Sequence, residues 1–217
     1  ILYLMDKNIQ LSIIVVSLNT KDKFEKTISS IKNQSLKNYE LIVVDGKSSD
    51  GTIELIEKYK NIIDKKIIEI DTGIYDAMNK GINISSAKWC IFLNSGDVFY
   101  DNFTTEKLSD VLKQDMDVIF SDTIIQNNGF EYKTISNYFS HRVSKIPFCH
   151  QSSVVKTELI RSSGFSLNYK LSSDFDLFLK IFISRKKFIK IKNLISKVDS
   201  GGISDKSRFL VFCENYR

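Results

Sequence analysis

Residues 71–97, DTGIYDAMNKGINISSAKWCIFLNSGD, decide the fold. Ile74, Ala77, Met78, Gly81 and Ile82 recur at the spacing of one helix face, while residues 89–93 form a short apolar run of strand length. The run stops at Asn94-Ser95-Gly96-Asp97. Loop, helix, buried strand and acidic turn, in that order, predict one unit of an open α/β sheet. Such sheets collect their ligands beyond the carboxyl ends of the strands. Taken alone, Asp97 reads either as a capping carboxylate on an ordinary turn or as a ligand group.

Upstream of this stretch the same alternation repeats. Residues 11–16, LSIIVV, are a continuous β-branched run of the kind buried on both faces of a sheet. Ser17-Leu18-Asn19 follows, then a helix marked by Phe24, Ile28 and Ile31 with Thr20 or Asp22 as its cap. Residues 40–44, ELIVV, give a second strand, and the loop Asp45-Gly46-Lys47-Ser48-Ser49-Asp50-Gly51-Thr52 follows it. A carboxylate at a strand end can accept hydrogen bonds from a base or a ribose, and the glycines let backbone approach a ligand. Asp50 reads as the N-cap of a helix over residues 52–59. Residues 66–70 make a third strand that delivers Asp71.

Downstream, residues 104–112 predict a helix and residues 117–121 a strand. Asn-Gly between the β-formers of 123–125 and 130–134 signals a hairpin, where the sheet is expected to turn from parallel to mixed. Pro147-Phe148-Cys149-His150-Gln151 carries one of the chain's two histidines, His150; a hydrogen-bonded structural histidine is the competing reading. Leu171-Ser172-Ser173-Asp174-Phe175-Asp176 opens an apolar helix over 175–183, and either Asp suits its first turn. Residues 185–197, RKKFIKIKNLISK, alternate basic and apolar side chains, as a half-buried edge strand with a lysine face does. Ser200-Gly201-Gly202-Ile203-Ser204 reads as a turn or as a loop able to close over a ligand.

With 217 residues, one proline and no low-complexity tract, the chain suits one sizeable domain over 11–217 behind an extension at 1–10, in which Met5 is a candidate start. The net charge of +5, from 31 Lys and Arg against 26 Asp and Glu, fits an anionic ligand and gives no reason to expect nucleic acid. Cys90, Cys149 and Cys213 are too few and too scattered for a zinc site or a disulfide framework. The opening residues lack the pattern of a signal peptide, and no apolar run reaches the ~18 residues of a spanning helix. A cytoplasmic protein is expected. The basic run leaves a peripheral contact with the inner face of the membrane open. Nothing at Glu214-Asn215-Tyr216-Arg217 marks the end of a protein.

The ordered pair D-x-G-I-Y-D-A-M-N-K-G-I and F-L-N-S-G-D, over residues 71–82 and 92–97, resembles the donor-site core of family-2 glycosyltransferases with the GT-A fold. The bacterial branch that builds surface polysaccharides is the most similar. Support runs from about residue 11 to 204. The resemblance implies a three-layer α/β/α sandwich around a mostly parallel mixed sheet, with a nucleotide-binding half at about 11–122 and an acceptor half at about 123–217. It implies inverting transfer of a sugar from a nucleotide-sugar, UDP-linked in most of the family, to a hydroxyl of a saccharide or lipid-linked acceptor.

The resemblance also implies residue roles. Ser17 and Asn19 stand in the turn that touches the nucleotide, Asp45 where the base is read, and Asp71 and Tyr75 in the loop over ribose and diphosphate. Asn79 and Lys80 follow on the polar face of the helix; Lys80 equally suits an i,i+4 pair with Asp76. Asn94, Ser95 and Asp97 occupy the place of the D-x-D metal signature, with Gly96 where many relatives have a carboxylate. Asp97 would then hold Mn2+ or Mg2+ nearly alone. His150 lies on the family's C-H-Q segment beside the donor sugar. Asp174 matches the catalytic base, the group that takes the acceptor's proton.

Two rival readings exist. A nucleotidyltransferase would need a glycine-rich basic loop after the first strand, and 17–21, SLNTK, has no glycine. A nucleotide-sugar-binding module without catalysis finds support in Gly96, and Asp174 argues against it.

Overall fold

The computed structural model describes residues 9–127, 129–140, 146–200 and 214. The chain begins with β1 (Leu11–Ser17), α1 (Lys21–Lys32), β2 (Tyr39–Asp45), α2 (Thr52–Lys58), β3 (Lys65–Ile68), α3 (Ile74–Ile84) and β4 (Trp89–Phe92). It continues with β5 (Val98–Phe99), α4 (Thr104–Val111), β6 (Val118–Phe120) and the strands β7 (Thr123–Asn127) and β8 (Phe130–Thr134). A short 3-10 turn at His150–Ser152 leads into β9 (Ser153–Lys156), α5 (Thr157–Ser163), α6 (Ser173–Ile183), β10 (Phe188–Lys190) and β11 (Ser196–Asp199).

The main sheet has seven strands in the order β10-β6-β9-β4-β1-β2-β3. Every neighbouring pair is parallel except the two made by β9, which runs against both β4 and β6. β1 and β2 pair in register from Leu11↔Tyr39 to Ser17↔Asp45 and are buried throughout. Strict alternation along them feeds two cores, because successive side chains point to opposite faces. Ile13, Val15, Leu41 and Val43 pack with Phe24, Ile28 and Ile31 of α1, Ile56 of α2 and Leu108 of α4. Ile14, Val16, Ile42 and Val44 pack with Met78 and Ile82 of α3, Ile160 of α5 and Phe178 of α6. The result is the expected α/β/α layering. α3 lies close on the sheet because Gly81 lacks a side chain: a β-carbon there would come within 2.5 Å of the Ile14 methyl.

The mixed character enters in a different place from the one predicted. The hairpin β7–β8 forms as expected, but it belongs to a second sheet, β5-β11-β7-β8. The antiparallel strand of the main sheet is β9. The basic run at 185–197 is split accordingly. β10 is the edge strand of the main sheet, and the residues after it cross over into β11 of the second sheet.

Helix caps also differ. α1 and α2 have no capping bond from their own N-cap residues, Thr20 and Gly51. Asp50 serves both, accepting the Lys21 N–H at 2.9 Å and the Thr52 N–H at 3.0 Å. No helix among the described residues is long and apolar enough to cross a membrane.

Candidate active site

A cleft of about 650 Å³ opens at the carboxyl ends of β1, β3 and β4. Ser17 and Leu18 come from the end of β1, Thr20 and Lys23 from the start of α1, Asp71 from the loop after β3, and Asn94 and Ser95 from the turn after β4. Tyr75, Cys149, His150, Gln151, Lys170, Asp174 and Asp199 complete the polar lining. The strand-end position follows from the sheet: backbone amides and short turns are free there to meet a ligand.

Asp174 lies in the first turn of α6 and joins three elements. Its Oδ1 accepts the Tyr75 hydroxyl at 3.1 Å and the Phe175 N–H at 2.9 Å, and its Oδ2 lies 3.1 Å from Nδ1 of His150. Burial alone would raise this carboxyl. The bond and charge of His150, the Phe175 N–H and the Tyr75 hydroxyl outweigh burial and hold it below the ordinary carboxylate value. Burial, then the Asp174 charge, raise the Tyr75 hydroxyl well above its ordinary value, so it remains a donor. Tyr75 is fixed by stacking on Phe165, ring centroids 5.4 Å apart.

The turn 94–97 is a second fixed point. Asp97 is 3% exposed. Its Oδ2 accepts the Asn94 N–H and its Oδ1 the Asp199 N–H, both at 3.1 Å. Burial pushes its carboxyl up to about 6 against these bonds. Asp97 therefore clasps its own turn to the end of β11, and its side chain is not among those lining the cleft. Gly96, at φ +107, leaves a space that Asp199 fills: a β-carbon at 96 would lie 3.2 Å from the Asp199 carboxylate. Asp199 in turn pairs with Lys23 at 2.6 Å.

Other expected residues take supporting places. Asp45 is fully buried and accepts three bonds at 2.7 Å, from the Ser17 hydroxyl and from the N–H and hydroxyl of Ser48. It shapes the Ser17 turn and has no face on the cleft. Asn19, at φ 51, accepts the Ser49 N–H at 2.8 Å and ties the first loop to the second. Asn79 uses both ends of its amide on the backbone of Phe165, at 2.9 and 2.8 Å. Lys80 pairs with Glu69 at 3.0 Å and with Asp76 at 3.4 Å, the helical pair open in the sequence. None of these four lines the cleft.

Ser17, Asp71, Tyr75, Asn94, Ser95, His150 and Asp174 do line it. The Asp71 carboxylate packs against Gly46, where a β-carbon would come within 2.6 Å of its Oδ2, and burial raises its carboxyl.

Lys23, Lys170 and Asp199 were missed. Lys23 looks like a solvated lysine on an amphipathic helix, and Asp199 ends a strand of a sheet the sequence does not announce. Cys149 lines the cleft as a protonated thiol, pushed up to about 12 by burial. His141, Cys213 and residues 201–204 of the glycine loop lie outside the described residues.

Buried polar atoms without a hydrogen-bond partner call for an explanation, and a ligand is one where they line a cavity. Among the described residues six buried side-chain atoms have none, and three of them, Thr20 Oγ1, Asn94 Oδ1 and His150 Nε2, belong to residues that line this cleft. A divalent cation can be tested against these groups. Among the described residues no three His, Cys, Asp or Glu converge on one point. The oxygen donors on the lining near Gly96 are the Asp199 carboxylate and the unpartnered Asn94 oxygen. They suit a cation that draws most of its ligands from a diphosphate and water.

The family model described as "Glycosyl transferase family 2" matches residues 12–186. The chain belongs to that family. A "PGL/p-HBAD biosynthesis glycosyltransferase" of Mycobacterium bovis (strain BCG / Pasteur 1173P2) is 26% identical over 202 residues, covering 89% of this chain and 78% of the relative. "Poly(ribitol-phosphate) beta-N-acetylglucosaminyltransferase TarP" of Staphylococcus aureus (strain N315) is 33% identical over 188 residues, covering 84% of this chain and 52% of that protein. The crystal structure of S. aureus TarS 1-349 in complex with UDP-GlcNAc superposes with a TM-score of 0.75 at 17% identity, over 91% of this chain and 61% of that one. The mannosyltransferase PcManGT from Pyrobaculum calidifontis, in complex with GDP-Man and Mn2+, gives 0.71 at 15% identity, over 95% and 61%. At these identities the two structures speak for the fold, which is that of glycosyltransferases. The chain spans about three fifths of each solved chain and about half of TarP.

Proposed function

We propose that this glycosyltransferase moves a sugar, with inversion at the anomeric carbon, from a UDP-linked donor to a hydroxyl of a saccharide or lipid-linked acceptor in surface-polysaccharide synthesis. The observation that carries the reading is the cleft itself. It joins a strand-end wall, carrying the Lys23–Asp199 ion pair and three unpartnered buried atoms, to the carboxylate–histidine–tyrosine group around Asp174. UDP and UDP-GlcNAc in the TarS complexes and the names of the bacterial relatives support the donor and acceptor classes.

In this reading Ser17 and Asp71 hold the nucleoside end, and Asp45, Asn19, Asn79 and Lys80 hold the loops that present them. Lys23 and Lys170 add positive charge beside the diphosphate. Asp199 and Asn94 would hold Mn2+ or Mg2+ together with the nucleotide, while Asp97 keeps the turn in shape. The cation supplies charge neutralisation for the departing diphosphate. Positioning of the acceptor hydroxyl against the anomeric carbon lowers the barrier further, and the proton of that hydroxyl leaves at the Asp174 end. A contact with the inner face of the membrane would bring lipid-linked acceptors to the cleft.

A donor panel tests the proposal. Thermal shift and nucleotide release are measured with UDP-, GDP- and dTDP-sugars in Mn2+. A UDP-sugar should both stabilise the protein and release UDP. Stabilisation without release by any donor would favour a binding module, and preference for a GDP- or dTDP-sugar would overturn the UDP assignment.

A further inference from the structure

We propose that the hairpin β7–β8 carries a saccharide subsite: Tyr132 and Phe130 form an aromatic platform, continuous with the cleft, on which sugar rings of the acceptor stack. This rests on the transfer reaction proposed above and names where its acceptor lies.

The register of the second sheet carries the inference. Val198 of β11 pairs with Ile125 of β7, and Ile125 pairs with Tyr132 of β8. Side chains of residues paired in this way share one face of a sheet. Val198, Ile125 and Tyr132 therefore form one row across three strands, about 10 Å from end to end. Val198 and Ile125 line the cleft, and Tyr132 is the next step outward along the row. Phe130 stands on the same face, two residues along β8 and about 7 Å from Tyr132. This face looks onto the His150 turn, because Ser196, two residues before Val198, meets the Ser152 hydroxyl at 2.6 Å. The row thus runs from the His150 turn over the cleft lining to two aromatic rings.

The fold leaves both rings in solvent. Tyr132 is 55% exposed and Phe130 78%. The hairpin is tied down on its opposite face, where Glu131 meets Gln126 and Lys197. Exposed apolar groups that adjoin a groove mark a binding surface.

The chemistry of the platform selects a sugar. The negative face of an aromatic ring attracts the polarised C–H groups on the flat side of a pyranose, while the sugar hydroxyls at the rim stay in water. Asn127, paired with Phe130 on this face, adds an amide that both donates to and accepts from such hydroxyls. The strand-end wall carries the Lys23–Asp199 pair and suits a charged nucleotide, whereas the platform residues carry no charge. A saccharide whose terminal hydroxyl enters the cleft would leave it over Ile125 and lie along Tyr132 and Phe130.

The test uses cellohexaose, chitohexaose and maltohexaose as probes, followed by saturation-transfer NMR with and without UDP. At least one should bind the wild type, and UDP should not displace it. Tyr132→Ser and Phe130→Ser should each weaken it by about fivefold, the scale of one aromatic contact. Both positions are exposed, so the melting temperature should hold. Phe103→Ser removes a ring that is 56% exposed at the start of α4, outside this sheet, and should change nothing. Binding of none of the three probes overturns the proposal, as does binding that survives both substitutions or is lost equally in Phe103→Ser. Displacement by UDP would place the sugar in the donor pocket instead. The free edge of β8 could also pair with a second copy. A wild type that elutes as a dimer, with Tyr132→Ser eluting as a monomer, would give the platform to that contact. Failure of the parent reading looks different: a probe then binds the platform while no sugar donor releases its nucleotide.

Discussion

Two buried carboxylate clusters sit at opposite ends of the same pair of strands, and they are built to opposite rules. At the amino end, Glu40 of β2 is 1% exposed. It is met by the Ser12 hydroxyl at 2.5 Å, the Ser86 N–H and hydroxyl at 2.5 and 2.8 Å, and the Lys65 ammonium at 2.8 Å. Burial would raise its carboxyl, but Lys65 and these donors hold it at about 2. At the carboxyl end, Asp97 is also buried, and among the described residues no ion pair is made with it. Its carboxyl rises to about 6, and unpartnered atoms of Thr20, Asn94 and His150 surround the neighbouring cleft. The satisfied cluster contributes stability. The open one stores unmet hydrogen-bonding capacity that a ligand can use, which is how binding sites differ from structural polar networks.

The largest expected effect breaks the open cluster. Asp174→Asn keeps the size of the side chain but loses its charge and cannot accept a proton. Transfer should fall by ~10²–10⁴, with UDP affinity within a few-fold, because the lost interaction belongs to the transition state. Steady-state kinetics beside calorimetry separates the two. A loss expressed wholly in donor affinity would turn Asp174 into a binding group.

Next comes the satisfied cluster. Glu40→Gln should cost about 2 kcal/mol, the scale of hydrogen bonds to a charged group, discounted because Lys65 is a third exposed. The folded value of Glu40 lies below its ordinary 4.5. Its contribution is therefore complete above about pH 4.5 and is lost as pH falls toward 2. Urea melts of wild type and variant should converge over that window. A gap that stays constant down to pH 2 would show that packing, not charge, sets the cost. Asp97 has the reverse sign, since its raised value favours the protonated form and stability gained there grows as pH falls through about 6.

A smaller effect sharpens the cation assignment. Thermal shifts with UDP, with and without Mn2+, should show added stabilisation in wild type and little in Asp199→Asn. Asp97→Asn should lower the melting temperature without nucleotide, because an amide offers one acceptor where two N–H groups need one each. Full Mn2+-dependent stabilisation in Asp199→Asn, with none in an otherwise stable Asp97→Asn, would return the cation to Asp97.

Legibility in the sequence followed locality. β1, β2, α1 and α3 were legible because each buries a periodic set of residues that lie within a dozen positions of one another. The α6 start with Asp174 was legible for the same reason. The second sheet was not, since β11 meets β5 and β7 only through pairings 73 to 99 residues apart, as in Ile125 to Val198 and Val98 to Lys197. Asp199 inherits that illegibility. Asp45 and Asp97 were read correctly as strand-end carboxylates. What the sequence could not show was direction: both point into the protein, toward serine hydroxyls and backbone N–H groups, and leave the cleft to Asp71, Asp174 and Asp199. Resemblance likewise placed His150 beside the sugar, while its unpartnered Nε2 is visible only in three dimensions.

The smallest expected effect is a control on the open cluster. Asp176 lies two residues beyond Asp174 on α6, about 200° around the helix. It faces away from the cleft and pairs with Lys180 at 2.7 Å, the lysine being 55% exposed. Such an i,i+4 pair contributes only a few tenths of a kcal/mol to a helix. Asp176→Asn should therefore leave transfer within about twofold and the melting temperature nearly unchanged, and salt should erase what difference there is. The contrast with Asp174→Asn is the sharpest single test of the site, because both variants remove one negative charge from the same helix turn. Equal losses in the two would mean that helix charge, not the position of Asp174 beside His150, governs the reaction. A dead Asp176→Asn beside an active Asp174→Asn would place the functional carboxylate two residues further along the chain.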